Sequence, residues 1–209
     1  VLHLPDTITN LTIRNQPLLS ELVLNNPSNI QTLWLENVPS NLIDTYAFIS
    51  AMAPGSIVRL IGVDIKVKDA DEIKKLYDAL DKMTGKTIFG ESTPKAQVTG
   101  TLHVPSILWS DYVALSARYE EIKISADVIR CVINFYNESA LFDSQIVALG
   151  ASAVDPAEHH GGSNPSKDPT VKNYYTFVGW DKSYKSVAGD MSVNAVFETH
   201  IQEIGRAHV

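Results

Sequence analysis

Twelve apolar and asparagine residues recur near the start of this chain at a strict spacing of eleven, and that period restricts the fold more than any other feature. Ile8, Leu11, Ile13 and Asn15 form one unit, Leu19, Leu22, Leu24 and Asn26 the next, and Ile30, Leu33, Leu35 and Asn37 the third. Aliphatic residues at i and i+2 send two side chains to one face of a short strand, because successive strand residues alternate sides. The apolar residue three places earlier packs where the chain turns inward. The asparagine follows the strand, where its side chain can bond backbone groups left unpaired by the turn. Units of this kind are expected to stack, since one alone cannot cover its apolar face. The competing reading is a β-meander with coincidental spacing, against which the number of matching positions argues.

The pattern LxxLxLxN, present as "ITNLTIRN", "LSELVLNN" and "IQTLWLEN", resembles leucine-rich repeats. A full leucine-rich coil takes roughly 20 to 29 residues, so two units are expected to make one coil with a strand on each side. Helices enter after Asn37. Leu42, Ile43, Tyr46, Ile49 and Ala53 have helical spacing over 41–53, with Ser40 as candidate N-cap and Pro54-Gly55 as the stop. Ile57 to Val67 reads as a strand. Over 70–84, Ile73, Leu76, Tyr77, Leu80 and Met83 mark one helix face, Asp69 with Glu72 makes a capping-box-like start, and Gly85 is the stop. A loop is expected at 86–95, strands at 96–104 and 121–125, and a helix at 110–119. This alternation favours a parallel sheet with helices on one side. Leu33/Leu35, Val58/Leu60, Leu102/Val104 and Ile122/Ile124 are the expected equivalent strand pairs of unequal coils. Residues 1–128 are therefore expected to form an α/β irregular leucine-rich-repeat-like solenoid, truncated at its N-terminus because no polar cap precedes Val1.

From about residue 130 the texture changes. "RCVINFYN" and "SQIVAL" read as paired strands, Asn137-Glu138-Ser139-Ala140 as a hairpin turn, 150–173 as a long loop, and "YYTFVGWD" and "MSVNAVFE" as two further strands with a turn at Ala188-Gly189-Asp190. Phe135-x-Asn137, Gly150 followed by Pro156, Tyr175-x-Phe177-x-Gly179-Trp180 and Val187-x-Gly189-Asp190-Met191-x-Val193-x-Ala195-x-Phe197 resemble the Listeria–Bacteroides repeat, or internalin B-repeat. The resemblance implies a small β-grasp-like, mainly β domain over 129–202. Tyr175 and Phe177 are expected to share one strand face, Gly179 to relieve the strand where Trp180 enters the core, and Ala195 with Phe197 to close the opposite side. The first hairpin departs from the family in lacking its usual glycine. Residues 203–209 continue no pattern and resemble a translated sequencing-adaptor read, so they are expected to be foreign to the fold; a natural C-terminal tail is the alternative.

Composition narrows the chemistry. Hydrophobic residues are 44% and charged residues 20% of the chain, which excludes wholesale disorder. A formal net charge of −7 argues against non-specific nucleic-acid binding. No apolar run approaches the roughly 18 residues of a membrane helix, so no membrane insertion is expected of these residues. The single cysteine, Cys131, excludes an internal disulfide framework and reads as a small buried side chain. Gly161-Gly162 lacks the rest of a phosphate loop. Glu158-His159-His160 could offer metal ligands, but neighbouring side chains point apart. His3 and His103 read as structural or surface residues, and Asp69, Asp71 and Glu72 as the acidic start of a helix. No catalytic residue, metal site or cofactor is expected.

What remains is a contact surface. With Leu33 and Leu35 inward, Trp34 and Glu36 point outward, as do Thr12 and Arg14 beside Leu11 and Ile13, and Val23 and Asn25 elsewhere. Trp34, Glu36, Thr12 and Arg14 are the candidate binding residues. An outward tryptophan is a common interface anchor, and burial under a neighbouring coil is the alternative. Leu11, Ile13, Asn15, Leu22, Leu24, Asn26, Leu33, Leu35, Asn37, Phe177, Gly179, Trp180 and Phe197 are expected to be structural. The combined resemblance implies a non-enzymatic recognition or adhesion module displayed outside the cell, on a bacterial surface or a bacteriophage virion. Its implied partner is a protein or glycan on a cell surface, or another virion protein, with the B-repeat as spacer or accessory contact. A tail component without a dedicated ligand and a non-catalytic appendage of a larger secreted enzyme are the alternatives.

Overall fold

The computed structural model describes residues 1–39, 42, 44–83, 85–86, 92–93 and 96–202. The candidate cap Ser40, Ile43, most of the 86–95 loop and the segment 203–209 lie outside the described residues. The chain divides into two compact units. The first holds Val1–Ile107 and Asp111–Val128, and the second holds Leu108–Ser110 and the residues from Ile129 onward.

In chain order the first unit contains β1 (Leu2–His3), β2 (Asn10–Arg14), β3 (Leu22–Val23), a 3-10 turn (Pro27–Asn29), β4 (Thr32–Glu36), α1 (Thr45–Ala51), β5 (Ile57–Lys66), α2 (Ala70–Leu80), β6 (Gly85–Lys86), β7 (Ser92–Thr93), all of β8 (Gln97–Leu108) but its last residue, α3 (Trp109–Arg118) from Asp111 on, and the start of β9 (Ile122–Asn137). The eleven-residue units do not all join one ladder. The first and third pair in parallel as β2 and β4, with Leu11 beside Leu33 and Ile13 beside Leu35. The second unit's strand, β3, pairs instead with β1, Leu22 beside Leu2. Leu11, Ile13, Leu22, Ile30, Leu33 and Leu35 are buried, whereas Leu24, past the end of β3, is only half-buried.

The asparagines serve two different ends. Asn26 caps the 3-10 turn, its side chain accepting from the Ser28 N–H at 3.2 Å. Asn15 and Asn37 both take left-handed backbone, φ 51 and 49, and Asn37 Nδ2 donates to Asn15 Oδ1 at 2.9 Å. A short polar side chain tolerates that conformation far better than a β-branched one.

β5 and β8 extend the parallel sheet beyond β4. Leu60 lies beside Val98 and Ile65 beside Leu102, with a register shift between Leu60 and Val63. The expected equivalence of Val58/Leu60 with Leu102/Val104 is therefore displaced by a bulge. Gly100, at φ 144, permits it: a Cβ there would stand 2.0 Å from the Val63 carbonyl oxygen. The inward side chains of the sheet are buried with Phe48 and Ile49 of α1 and Ile73, Leu76, Tyr77 and Leu80 of α2. The observed cap of α1 is Asp44, which accepts from the Ala47 N–H at 3.0 Å. In α2, Asp69 accepts from the Glu72 N–H at 2.9 Å while Glu72 Oε2 accepts from the Lys68 N–H at 2.8 Å. The helix ends at Leu80 rather than 84, and Gly85 already belongs to β6.

In the second unit the remainder of β9 forms an antiparallel hairpin with β10 (Ala140–Ala148), turning at Glu138, φ 56. The one-turn helix α4 (Pro156–His159) interrupts the long loop. β11 (Asn173–Trp180) and β12 (Met191–Ile201) are antiparallel, and β12 runs parallel to β9. Cys131, Ile133, Phe135, Ala153, Val187 and Val193 form the core, with Trp109, Val147, Trp180, Tyr184 and Met191 packed against it. The Phe135 ring lies edge-on to Trp180 at 5.1 Å and to Tyr184 at 5.3 Å. Phe177 sits directly opposite Phe197, and Trp180 opposite Ala195. Cross-strand partners share a face, so Ala195 and Phe197 stand on the same side as Phe177 and do not close the opposite one. The register shift between Phe177 and Gly179, with Gly179 at φ 142, keeps Phe177 and Trp180 edge to face at 5.4 Å.

The expected α/β irregular leucine-rich-repeat-like solenoid followed by a β-grasp-like domain is overturned. The chain is mostly β, 43% strand against 19% helix, and eight of its strands belong to one mixed sheet. The physical reason is that the eleven-residue spacing stops at Asn37. Beyond it the strands lengthen to 10, 12 and 16 residues. β9 runs unbroken where two strands were expected, and antiparallel pairs enter. A solenoid needs similar coils each touching only its neighbours, and strands this unequal do not supply them.

Candidate functional site

The parallel sheet of the first unit alternates strictly, with burial reading exposed–buried along β2 and half-buried–buried along β4. The buried aliphatic side chains go to the helices, and the outer face is mixed, with Trp34, Ile57 and Ile61 among polar residues. Register brings four of these into one row across four strands: Thr12 beside Trp34, Trp34 beside Arg59, and Arg59 beside Gln97. The next row places Arg14 beside Glu36 and Glu36 beside Ile61.

Trp34 is the centre of this arrangement. Arg14, from the strand on one side, lies with its guanidinium carbon 4.5 Å from the ring centroid, and Arg59, from the strand on the other, at 4.2 Å. Both distances suit a cation over an aromatic ring. The indole Nε1–H donates to Glu36 Oε2 at 3.1 Å. Glu36 also accepts twice from Arg14, Nε to Oε2 at 2.7 Å and Nη2 to Oε1 at 3.3 Å. The Arg14 hydrogen bonds hold the Glu36 carboxyl below its ordinary range and raise the guanidinium in return.

All four candidate binding residues therefore lie on this face; Thr12, Trp34, Arg14 and Glu36 occupy adjoining rows. Val23 does not join them, being paired with His3 in the separate β1–β3 ladder. The sequence reading missed Arg59 and Gln97. Arg59 had a usable signal, since it lies between the inward residues Val58 and Leu60; its neighbour across the ladder did not. Arg59 Nε and Gln97 Oε1 are both buried without a hydrogen-bond partner among the described residues. An unpaired buried donor beside an unpaired buried acceptor on directly paired residues leaves room for an ordered water or a small side-chain adjustment to complete the bonding.

His159 Nδ1 faces Asp143 Oδ2 at 3.1 Å, while the His160 ring lies tilted against Phe142 with centroids 4.3 Å apart, so the adjacent histidines turn to different partners. Among the described residues no three His, Cys, Asp or Glu side chains gather where they could hold a metal ion. His103 approaches Asp64 at 3.8 Å beside a cavity of about 340 Å³ lined by Lys66, Val67, Val104, Pro105 and Asp127. Cys131 is fully buried, and burial pushes its thiol up, away from the thiolate a nucleophile needs. Asp71 pairs with Lys74 at 3.4 Å, and Asp69 and Glu72 are spent on capping α2. No helix of the described residues is long and apolar enough to cross a membrane. Compared with known proteins, the chain matches no family model, no curated protein and no solved structure.

Proposed function

We propose that this chain is a non-enzymatic recognition module that binds a protein or glycan at a cell surface, or another virion protein, through the outer face of its parallel sheet. The observation that carries the reading is the half-buried Trp34 held between Arg14 and Arg59 with Glu36 on its indole nitrogen. Aromatic and arginine side chains are the residue types that concentrate binding energy at interfaces. Fixing them by cation–π contact and hydrogen bonds lowers the ordering cost of binding. An outer sheet face suits a broad partner rather than a small molecule enclosed in a cleft.

The second unit supports this surface as a spacer or accessory contact. Its likeness to the B-repeat rests in part on Phe135, Phe177, Trp180 and Phe197, whose rings form one connected aromatic cluster, and on Gly179 beside Trp180. The setting that goes with such a module is extracellular, on a bacterial surface or a virion. The test is binding of the whole chain to a printed glycan array and to intact bacterial and epithelial cells, wild type against Trp34→Ala. Binding lost in the variant at unchanged thermal stability is expected. Equal binding by the two proteins, or binding by neither, removes the reading.

A further inference from the structure

We propose that the outer edge of β2 pairs antiparallel with the same edge of a second copy of this chain. β2 stands at the end of its sheet and, among the described residues, pairs with β4 alone. Thr9 accepts from the Thr32 N–H and Asn15 donates to the Glu36 carbonyl, so the backbone groups of the odd positions serve β4. Those of Asn10, Thr12 and Arg14 face the other way, because successive strand residues send their N–H and C=O to opposite sides. Sheets commonly protect such an edge with lysine, proline or a bulge. β2 has none of these: it pairs with β4 without a register shift and turns its one charge, Arg14, onto Glu36.

The edge is complementary to itself, and that selects a second copy as its occupant. With Thr12 opposite the copy's Thr12, Asn10 falls opposite Arg14 and Leu11 opposite Ile13. The three edge-facing residues then each exchange N–H and C=O with their counterpart. The buried Leu11 and Ile13 of both copies stay on the core side, and no like charges meet. This register alone uses all five residues, and a slip of one would set Leu11 against Arg14. Exposed apolar surface lies at the same end of the unit. Val1, Leu2, Ile13 and Leu19 line an open cavity of about 520 Å³ with Thr12 and Arg14. Val1 and Leu2 are 68% and 40% exposed, and Leu18, next to Leu19, is 94% exposed. A two-fold axis through the Thr12 pair sets the two open core ends against each other, so the contact buries apolar side chains as well as backbone. The same axis turns both outer faces to one side. Trp34 and Thr12 of the two copies then share one row, with the indoles about 14 Å apart, three strand spacings. Two recognition faces thus meet one partner surface together, although the pairing itself holds whatever that face binds.

Sedimentation velocity of the whole chain, from micromolar to submillimolar concentration under reducing conditions, tests the pairing. A concentration-dependent monomer–dimer equilibrium is expected. Asn10 is exposed and its side chain donates to the neighbouring Thr9 Oγ1, so its charge can be changed without touching the core. Asn10→Asp sets a carboxylate opposite Arg14 of the copy twice per dimer and tightens it about twofold to thirtyfold. Asn10→Lys sets like charges there and weakens it by a similar factor. Thr12→Pro removes the N–H at the axis while the β4 ladder keeps its bonds, and it leaves monomer. A protein that stays monomeric at every concentration overturns the proposal. So does a dimer that the two Asn10 variants shift in the same direction or not at all, because another surface then holds it. Should Thr12→Pro fail to fold, the opposite shifts of Asn10→Asp and Asn10→Lys decide alone.

Discussion

Asn37 donates through Nδ2 to Asn15 Oδ1 at 2.9 Å, and both residues hold left-handed backbone at the ends of neighbouring parallel strands. Gly62 stands at the same level of β5, also left-handed at φ 63, and a Cβ on it would come within 3.0 Å of Asn37 Oδ1. β2 and β4 thus end on this conformational step, while β5 takes it within its register shift and continues beside β8. Asn37→Ala loses the hydrogen bond and puts in left-handed backbone a residue that lacks asparagine's tolerance of it, at a combined cost of about 2 to 3 kcal/mol. Asn37→Gly loses the bond alone, about 1 kcal/mol. Urea denaturation of both variants separates the terms, and equal losses would mean that backbone strain contributes nothing there.

Gly100→Ala strikes the bulge between β5 and β8. Its Cβ would meet the Val63 carbonyl at 2.0 Å, with backbone on both sides of the clash. Relief requires moving a central strand, so a loss of about 3 kcal/mol or more is expected in thermal melts. Gly150→Ala is the control, because a Cβ there meets nothing within 4 Å, although its φ of 84 retains a smaller strain cost.

The Arg14–Glu36 pair has a signed pH dependence. The Glu36 carboxyl is held below its ordinary value of 4.5 by the Arg14 hydrogen bond in the folded chain. Its contribution is therefore fully present above that value and lost as pH falls through the lower, folded-state midpoint. In Arg14→Ala the Glu36 midpoint, followed by carboxyl NMR, rises toward the ordinary range. An unmoved midpoint would show that Arg14 is not the cause.

In the second unit, Phe135 is fully buried while Phe177 is half-buried. Phe135→Ala should cost about 3 to 5 kcal/mol and Phe177→Ala distinctly less. Near-ultraviolet circular dichroism should weaken in both, because Trp180 packs edge-on to each ring. A larger loss at Phe177 than at Phe135 would misplace the core.

The inward face of the first unit was legible in the sequence, because burial of Leu11, Ile13, Leu33 and Leu35 follows from alternation alone. So was the buried face of α2, through Ile73, Leu76, Tyr77 and Leu80. Pairing was not. Nothing in an eleven-residue spacing tells that Leu22 answers to Leu2 and not to Leu33, since pairing is a long-range choice between strands of similar pattern. The solenoid expectation failed at the same point, by carrying a local period into strands whose lengths no longer followed it. Four of the six residues of the candidate site were visible for the same reason: Thr12, Arg14, Trp34 and Glu36 follow from alternation in two strands, while Arg59 and Gln97 join them only through register.

The indole N–H region of a nitrogen–proton correlation spectrum tests the recognition face most directly. The chain has three tryptophans, Trp34, Trp109 and Trp180, two of them packed against the second unit's core. When the tightest-binding partner from the array is added, the Trp34 signal should shift together with the Arg59 Nε–H, while those of Trp109 and Trp180 stay in place. A Trp34 signal that holds still at saturating partner would contradict binding through this face.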